Sequence, residues 1–215
     1  FRPFENLYST VGLRSDEHST TGRKASGRTT LAYKLDGNSK IRSSLGSGIR
    51  FPALYDYHYA NGNTPASGAG PDAPFHMENL KVERALSYDF GYDTNLDFLD
   101  LDLSITYFNI AQKNPLASDS RNNWKMRNQS GESTSEGIEF SGDWKPKDKK
   151  IRLGFGYTFT DTYDSNTCDA GDCGLRGGGS ELSTSKVRVP RHALSTQISH
   201  NTTQNLNNTL SIKFV

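Results

Sequence analysis

From Leu99 to Tyr107 the chain reads Leu-Asp-Leu-Asp-Leu-Ser-Ile-Thr-Tyr, apolar or aromatic at every odd position and polar at every even one. On a helix this order would scatter leucine and aspartate over every face. On a strand it places Leu99, Leu101, Leu103, Ile105 and Tyr107 on one side. The period of two returns along the chain, with the apolar row at Leu7, Val11 and Leu13, then at Leu31, Tyr33 and Leu35, then at Ile41, Leu45 and Ile49. It continues at Leu86, Tyr88, Phe90 and Tyr92, at Ile138, Phe140 and Trp144, and at Ile151, Leu153, Phe155, Tyr157 and Phe159. Leu194 and Ile198, and finally Leu210, Ile212 and Phe214, complete nine predicted strands.

The connections are predicted to alternate as well. Short turns fall at 35–40, 92–98, 144–150 and 203–207, and longer polar loops at 15–24, 51–81, 113–127 and 161–191. Transmembrane barrels have short turns at one rim and long loops at the other, joined by tilted strands of about ten residues. The pattern therefore predicts an all-β fold, an antiparallel transmembrane β-barrel. Leu101, Leu103, Ile105, Leu153, Phe155 and Tyr157 are expected to face lipid, with Asp100, Asp102, Ser104 and Arg152 turned inward. Trp144 and Tyr92 near short turns, and Tyr107, Tyr157 and Phe159 near long loops, fit interface girdles. A soluble β-sandwich binding module accepts the same alternation, so the loop pattern and the strand length carry the preference for a membrane.

Composition agrees with one apolar face per strand: of 215 residues only 33% are hydrophobic, while 11% are aromatic, which disordered chains lack. No run of eighteen apolar residues exists, which says nothing against a barrel. The first residues have neither a basic segment nor an apolar stretch, so no signal peptide is read here and the true N-terminus is expected elsewhere. A net charge of +1 gives no footprint for nucleic acid. The cluster Lys145, Lys147, Lys149 and Lys150 is interleaved with Asp143 and Asp148 and reads as a solvated turn.

Candidate chemistry is sparse. His18, His58, His76, His192 and His200 form no pairing motif, so the chain is not read as an enzyme. A barrel lipase or protease would need a Ser/His or Asp/His pair on adjacent strands at the membrane rim. Cys168 and Cys173 sit close together in a polar loop and read as a local disulfide, against free thiols or a metal pair. Asp161, Asp164, Asp169 and Asp172 are hard oxygen ligands that could hold calcium, although their spacing matches no EF-hand and a solvated acidic loop accounts for them too. In 51–81, Tyr55, Asp56, Tyr57, His58 and Tyr59 offer aromatic contact area suited to capturing a small-molecule ligand.

Four blocks resemble one family. Ile49-Arg50-Phe51-Pro52-Ala53-Leu54-Tyr55-Asp56 is similar to a segment of the TonB-dependent receptors, after a Ser/Gly-rich strand as in that family. Asn79-Leu80-Lys81-Val82-Glu83-Arg84 with Tyr88-Asp89-Phe90-Gly91 resembles a second signature, with Val82 and Asp89 where the family has Pro and Glu. Glu136-Gly137-Ile138-Glu139 and Val189-Pro190-Arg191-His192 resemble two further strand motifs, and the overall layout is closest to the vitamin B12 receptors.

The resemblance implies residues 1–215 of a partial barrel, about nine strands of a larger plugged barrel with the plug absent. It implies a location in the bacterial outer membrane, in contact with its lipid. It also implies uptake of a scarce ligand such as an iron chelate or cobalamin, with energy from the TonB complex acting through the plug. Arg14, Arg42, Arg50, Asp100, Asp102, Glu139 and Arg152 would line the lumen toward that plug. A passive porin-like barrel is the alternative, and would lack the blocks around Pro52 and Asn79. Alternation that runs to Val215 and an odd count of strands predict an open, curved sheet whose first and last strands are unpaired, with more strands expected beyond both ends.

Overall fold

In the computed structural model, residues 5–60, 80–119, 125–128, 131–147, 150–166, 182–184, 189–203 and 206–215 are described. At 58–60, 117–119, 125, 127, 164–166 and 182–184 only the backbone is described. Three long strands come first: β1 (Leu7–His18), β2 (Gly22–Lys34) and β3 (Ser39–Arg50). A short helix α1 (Leu54–Ala60) precedes β4 (Glu83–Leu96) and β5 (Leu101–Lys113). A small hairpin of β6 (Leu116–Asp119) and β7 (Lys125–Asn128) leads to β8 (Glu132–Trp144) and β9 (Ile151–Asn166). The chain ends with β10 (Leu182–Thr184), β11 (His192–Thr203) and β12 (Leu206–Phe214).

The nine long strands form one antiparallel sheet in the order β1-β2-β3-β4-β5-β8-β9-β11-β12, with β10 added to β9. Among the described residues β1 and β12 are the two edges and do not pair with each other, as expected for an open arc. The pairing register carries the alternation intact from strand to strand. Tyr33 faces Ile41, Ile41 faces Tyr92, Tyr92 faces Ile105, and the row runs on through Phe140, Tyr157 and Leu194 to Phe214. A slip of one residue at any junction would turn a polar row into lipid, so the register is strongly specified.

Curvature separates the faces. On β5, Thr106 is 7% exposed and its neighbour Ile105 46%. Ser133, Thr162 and Glu83, on the same face as Thr106, are also buried, whereas Leu31, Phe90, Ile138 and Leu194 on the other face are exposed. The concave side crowds its side chains, so the polar face lines the lumen and the apolar face is the convex outside. Leu101, Leu103, Ile105, Leu153, Phe155 and Tyr157 share the outer face, and Asp102, Ser104 and Arg152 the inner one. On the outer face Phe155 and Leu103 cover Gly142, where a Cβ would come within 2.5 Å of the Phe155 ring.

Four expectations need correction. The loop predicted at 15–24 is only 19–21, because Asp16 opposite Lys24 and Glu17 opposite Arg23 extend the β1–β2 hairpin with charges that carry no hydrophobic signal. The turn predicted at 92–98 lies at 97–100. β4 runs on to Leu96, and Asp100, at φ 53, closes a single 3-10 turn instead of facing the lumen from a strand. The Asp100 carboxylate accepts the backbone N–H of Lys147 at 3.2 Å. The segments predicted as plain loops at 51–81 and 113–127 contain α1 and the β6–β7 hairpin. Finally, Tyr107 and Tyr157 sit in mid-strand, because β5 and β9 continue past the apolar band with polar residues.

Candidate functional site

The turns at 35–38 and 97–100, with the end of β8 and the start of β9, mark one rim, and the segments holding α1 and β6–β7 mark the other. At the second rim the connections fold over the lumenal side. His18, the last residue of β1, stacks on Phe51 with ring centroids 5.0 Å apart and on Tyr57 of α1 at 6.5 Å. The Tyr57 hydroxyl donates to Thr20 Oγ1 at 3.1 Å, and Thr20 Oγ1 lies 2.8 Å from His18 Nδ1. Tyr57 is 1% exposed and packs with Leu80, and Leu116 and Met126 lie against that pair. One tyrosine thus joins the β1–β2 loop, the β3–β4 connection and the β6–β7 hairpin.

An ionic bracket holds this cap to the wall. Arg50 Nη1 donates to Glu83 Oε2 at 2.7 Å across the β3–β4 register. The other Glu83 oxygen accepts the backbone N–H of Leu116 at 2.7 Å. Asp56 accepts the N–H of Ala53 at 2.8 Å at the start of α1 and lies 3.8 Å from Arg50. Both carboxylates are nearly buried, at 3% and 4% exposure, and both have cationic and N–H partners, as buried acids require.

Lower in the lumen a second network spans β3, β4 and β5. The Arg42 guanidinium lies flat over Gly91, where a Cβ would meet Cζ at 2.8 Å. It donates to Asp93 at 3.1 Å, to Thr106 at 2.6 Å and to Ser104 at 3.3 Å, with Asp89 at 3.8 Å. Ser104 donates to Asp93 at 2.6 Å, Lys40 lies 3.4 Å from it, and Ser44 donates to Asp89. Toward the turn rim a cavity of about 340 Å³ opens among Asp36, Lys40, Asn95, Asp102, Ser141 and Asp143. In its turn Asp36 accepts the N–H groups of Asn38 and Ser39 at 2.8 and 2.7 Å, which hold its carboxyl below the usual carboxylate range.

Of the five residues predicted as ligand contacts, Tyr55 is exposed at 61%, whereas Asp56 and Tyr57 are turned into the cap and hold it together. The side chains of His58 and Tyr59 lie outside the described residues, as do Cys168, Cys173, Asp169, Asp172 and the Asp164 side chain. Asp161 is engaged by Arg191 at 3.2 Å. Among the described residues no group of three His, Cys, Asp or Glu could hold a metal ion. Of the predicted lumenal charges, Arg42 and Arg50 anchor the two networks. Arg14 pairs along its own strand with Asp16 at 2.8 Å, and Asp102, Glu139 and Arg152 face inward by register. Asp93 falls inside the turn that the sequence predicts at 92–98, although it belongs to β4. Its position on the same face as Lys40 and Ser104 is the signal that reveals it.

The sequence pattern of the family described as TonB dependent receptor-like, beta-barrel matches residues 2–212. No protein of curated function matches the chain in sequence. Among solved structures, the siderophore receptor PirA from Pseudomonas aeruginosa is similar with a TM-score of 0.68 and 17% identity, over 98% of this chain and 34% of that one. The FrpB iron transporter from Neisseria meningitidis gives a TM-score of 0.64 at 16% identity, over 98% and 30% of the two chains. The ferric yersiniabactin uptake receptor FyuA from Yersinia pestis gives 0.65 at 11%, over 99% and 32%. The chain thus spans about a third of the length of the solved proteins it matches, and at these identities the likeness is one of fold.

Proposed function

Because this chain belongs to the TonB-dependent receptor β-barrel family, we propose that it forms part of the wall of a receptor that captures a scarce iron chelate and imports it with energy from the TonB complex. Barrels of this family are bacterial outer-membrane proteins; in this reading the convex apolar face meets lipid and the capped rim, which carries the longer connections, faces outward. The observation that carries the reading is the Tyr57-centred cap. Three connections packed together on the lumenal side give a ligand a preformed platform with Tyr55 on its surface. Preorganised aromatic area lowers the ordering cost of binding. Below it, the Arg42 network and the acidic cavity supply the lumenal wall against which a plug domain would sit. No step requires a catalytic group, and the disulfide of Cys168 and Cys173 belongs to this proposal as a brace of an outer loop.

The choice of an iron chelate over cobalamin follows the siderophore and iron transporters that share the fold. The test is uptake in cells lacking the receptor, complemented with the full-length protein, with and without a functional TonB complex. Labelled ferric chelates are expected to accumulate only when both are present, and Tyr55→Ala in the full-length protein is expected to weaken binding about tenfold. Uptake of labelled cobalamin instead would move the ligand class, and uptake that persists without TonB would favour a passive porin-like barrel.

A further inference from the structure

Like charges directly opposite each other on adjacent strands destabilise a sheet unless something sits between or beside them. Four such pairs occur in the described register: Lys34 with Lys40, Asp102 with Asp143, Glu136 with Asp161, and Arg84 with Lys113. In the first three, both members have a partner. Lys34 lies over the Tyr8 ring at 5.5 Å and Lys40 by Asp93 at 3.4 Å. Lys145 bridges Asp102 and Asp143 at 3.5 and 3.9 Å. Glu136 accepts from Tyr107 at 3.0 Å and Asn109 at 3.1 Å, and Asp161 from Arg191 at 3.2 Å. In the fourth, Lys113 has Glu132 at 3.4 Å, and exposed Arg84 makes no hydrogen bond or ion pair with any described residue.

The place of this pair narrows what completes it. Both residues are on the convex face, at the outer ends of β4 and β5. Directly below Arg84 the same face carries Leu86, Tyr88, Phe90 and Tyr92, all exposed. Arg23, the other cation on this face of the described strands, lies 3.3 Å from Glu17. With the capped rim outward, as proposed above, the partner this arrangement fits is anionic at the membrane boundary and apolar below it. We propose that Arg84 and Lys113 clasp the phosphate of a lipid in the outer leaflet, whose acyl chains run down the Leu86–Tyr88–Phe90 stripe. A phosphate suits the site because a guanidinium binds it through two parallel N–H donors while the ammonium neutralises a second oxygen. Basic residues at the ends of spanning segments are where anionic headgroups gather. A free anion would use the charges and leave the stripe unused.

The test is native mass spectrometry of the full-length receptor in detergent, offered bisphosphorylated lipid A, the same lipid stripped of phosphate, or inorganic phosphate. The intact protein is expected to retain the phosphorylated lipid. Arg84→Ala should weaken retention by roughly tenfold or more, the scale of a lost charge-assisted hydrogen bond. Arg84→Lys, which keeps the charge but loses the paired donors, should fall between the two and guard against a folding artefact, and Arg23→Ala should leave retention unchanged. Equal retention by the intact protein and Arg84→Ala overturns the proposal. So does equal retention of the dephosphorylated lipid, displacement of the lipid by millimolar inorganic phosphate alone, or an equal loss in Arg23→Ala, which would mean diffuse charge.

Discussion

The wall and the cap obey opposite rules of burial. On the wall the large apolar side chains are the exposed ones, Leu31, Leu86, Ile105, Leu194 and Leu210 among them, and the buried side chains are Thr106, Ser133 and Thr162. In the cap and the segment that follows it, Tyr57, Leu80 and Val82 are buried, as in a water-soluble protein. One chain shows both patterns because the surroundings differ. Lipid hydrocarbon takes the outer face at no hydrophobic cost, so the wall needs no dry core, and only its hydrogen-bonded register must be closed. The cap stands in water and must assemble a small core or stay open. Exposure in itself therefore says little about function here. An exposed leucine on the wall is ordinary, whereas an exposed tyrosine on the cap, Tyr55, is a candidate contact.

Breaking the cap's core gives the largest expected effect. Tyr57→Ala removes its largest fully buried side chain and the hydrogen bond to Thr20, a change that costs about 3–5 kcal/mol in a packed core. The loss is local. Amide exchange across 51–57 and 80–82 should accelerate by orders of magnitude while the thermal unfolding of the barrel stays where it is. A barrel transition that falls together with the cap would make the two regions one cooperative unit and dissolve the contrast between them.

The wall is tested from the other side. Leu103→Arg places a charge on the lipid-facing row of β5 and should cost about 2–4 kcal/mol in urea unfolding from lipid vesicles. Ser141→Arg, on the exposed lumenal face of β8, should stay within about 0.5 kcal/mol. Equal costs for the two would mean that the faces are exchanged.

What the sequence could reveal follows the same division. Wherever one face of a strand meets lipid, a period of two is imposed on the residues, and Leu101 to Tyr107 or Leu153 to Phe159 can be read directly. Where strands rise past the membrane, nothing apolar is required. The charged end of the β1–β2 hairpin accordingly reads as loop in the sequence, and the apolar row of β4 stops before Leu96. In the cap the mapping from residue to role depends on packing. Tyr55, Asp56 and Tyr57 are adjacent in sequence, yet one faces solvent and two are enclosed, because a single helical turn points them in different directions. Arg50 and Glu83 lie 33 positions apart and meet only through the strand register, which composition and spacing do not show.

The bracket between wall and cap should be weaker than either. Arg50→Ala leaves Glu83 buried with only the Leu116 N–H and separates α1 from its cation. Removing one member of a buried pair can cost several kcal/mol. The Arg50 side chain is 59% exposed, so water screens much of this, and about 1–2 kcal/mol is expected. Faster exchange at the Leu116 amide would report it, and Arg50→Lys should recover part of the protection. If the Leu116 amide is unchanged, Glu83 holds the hairpin without help from Arg50.

The smallest effect belongs to the opposite rim, where, among the described residues, a two-strand turn stands in water without a cap. The Asp36 carboxylate accepts the N–H groups of Asn38 and Ser39, and these bonds lower its pKa. A carboxyl whose folded pKa is depressed contributes stability above its unfolded pKa, near 4, and loses that contribution as pH falls through the lower folded value. The turn should therefore be fully formed at neutral pH and loosen only in acid. Because the group is fully exposed, the loss should be confined to the turn and leave the register of β2 and β3 intact. Exchange at the Asn38 and Ser39 amides, corrected for the intrinsic pH dependence, should show protection that falls below about pH 4. Asp36→Ala should remove that protection at every pH. Protection that persists unchanged through the acid range would mean that the pairing of Lys34 with Lys40 and the backbone bond from Leu35 to Ser39, not the carboxylate, hold the turn closed.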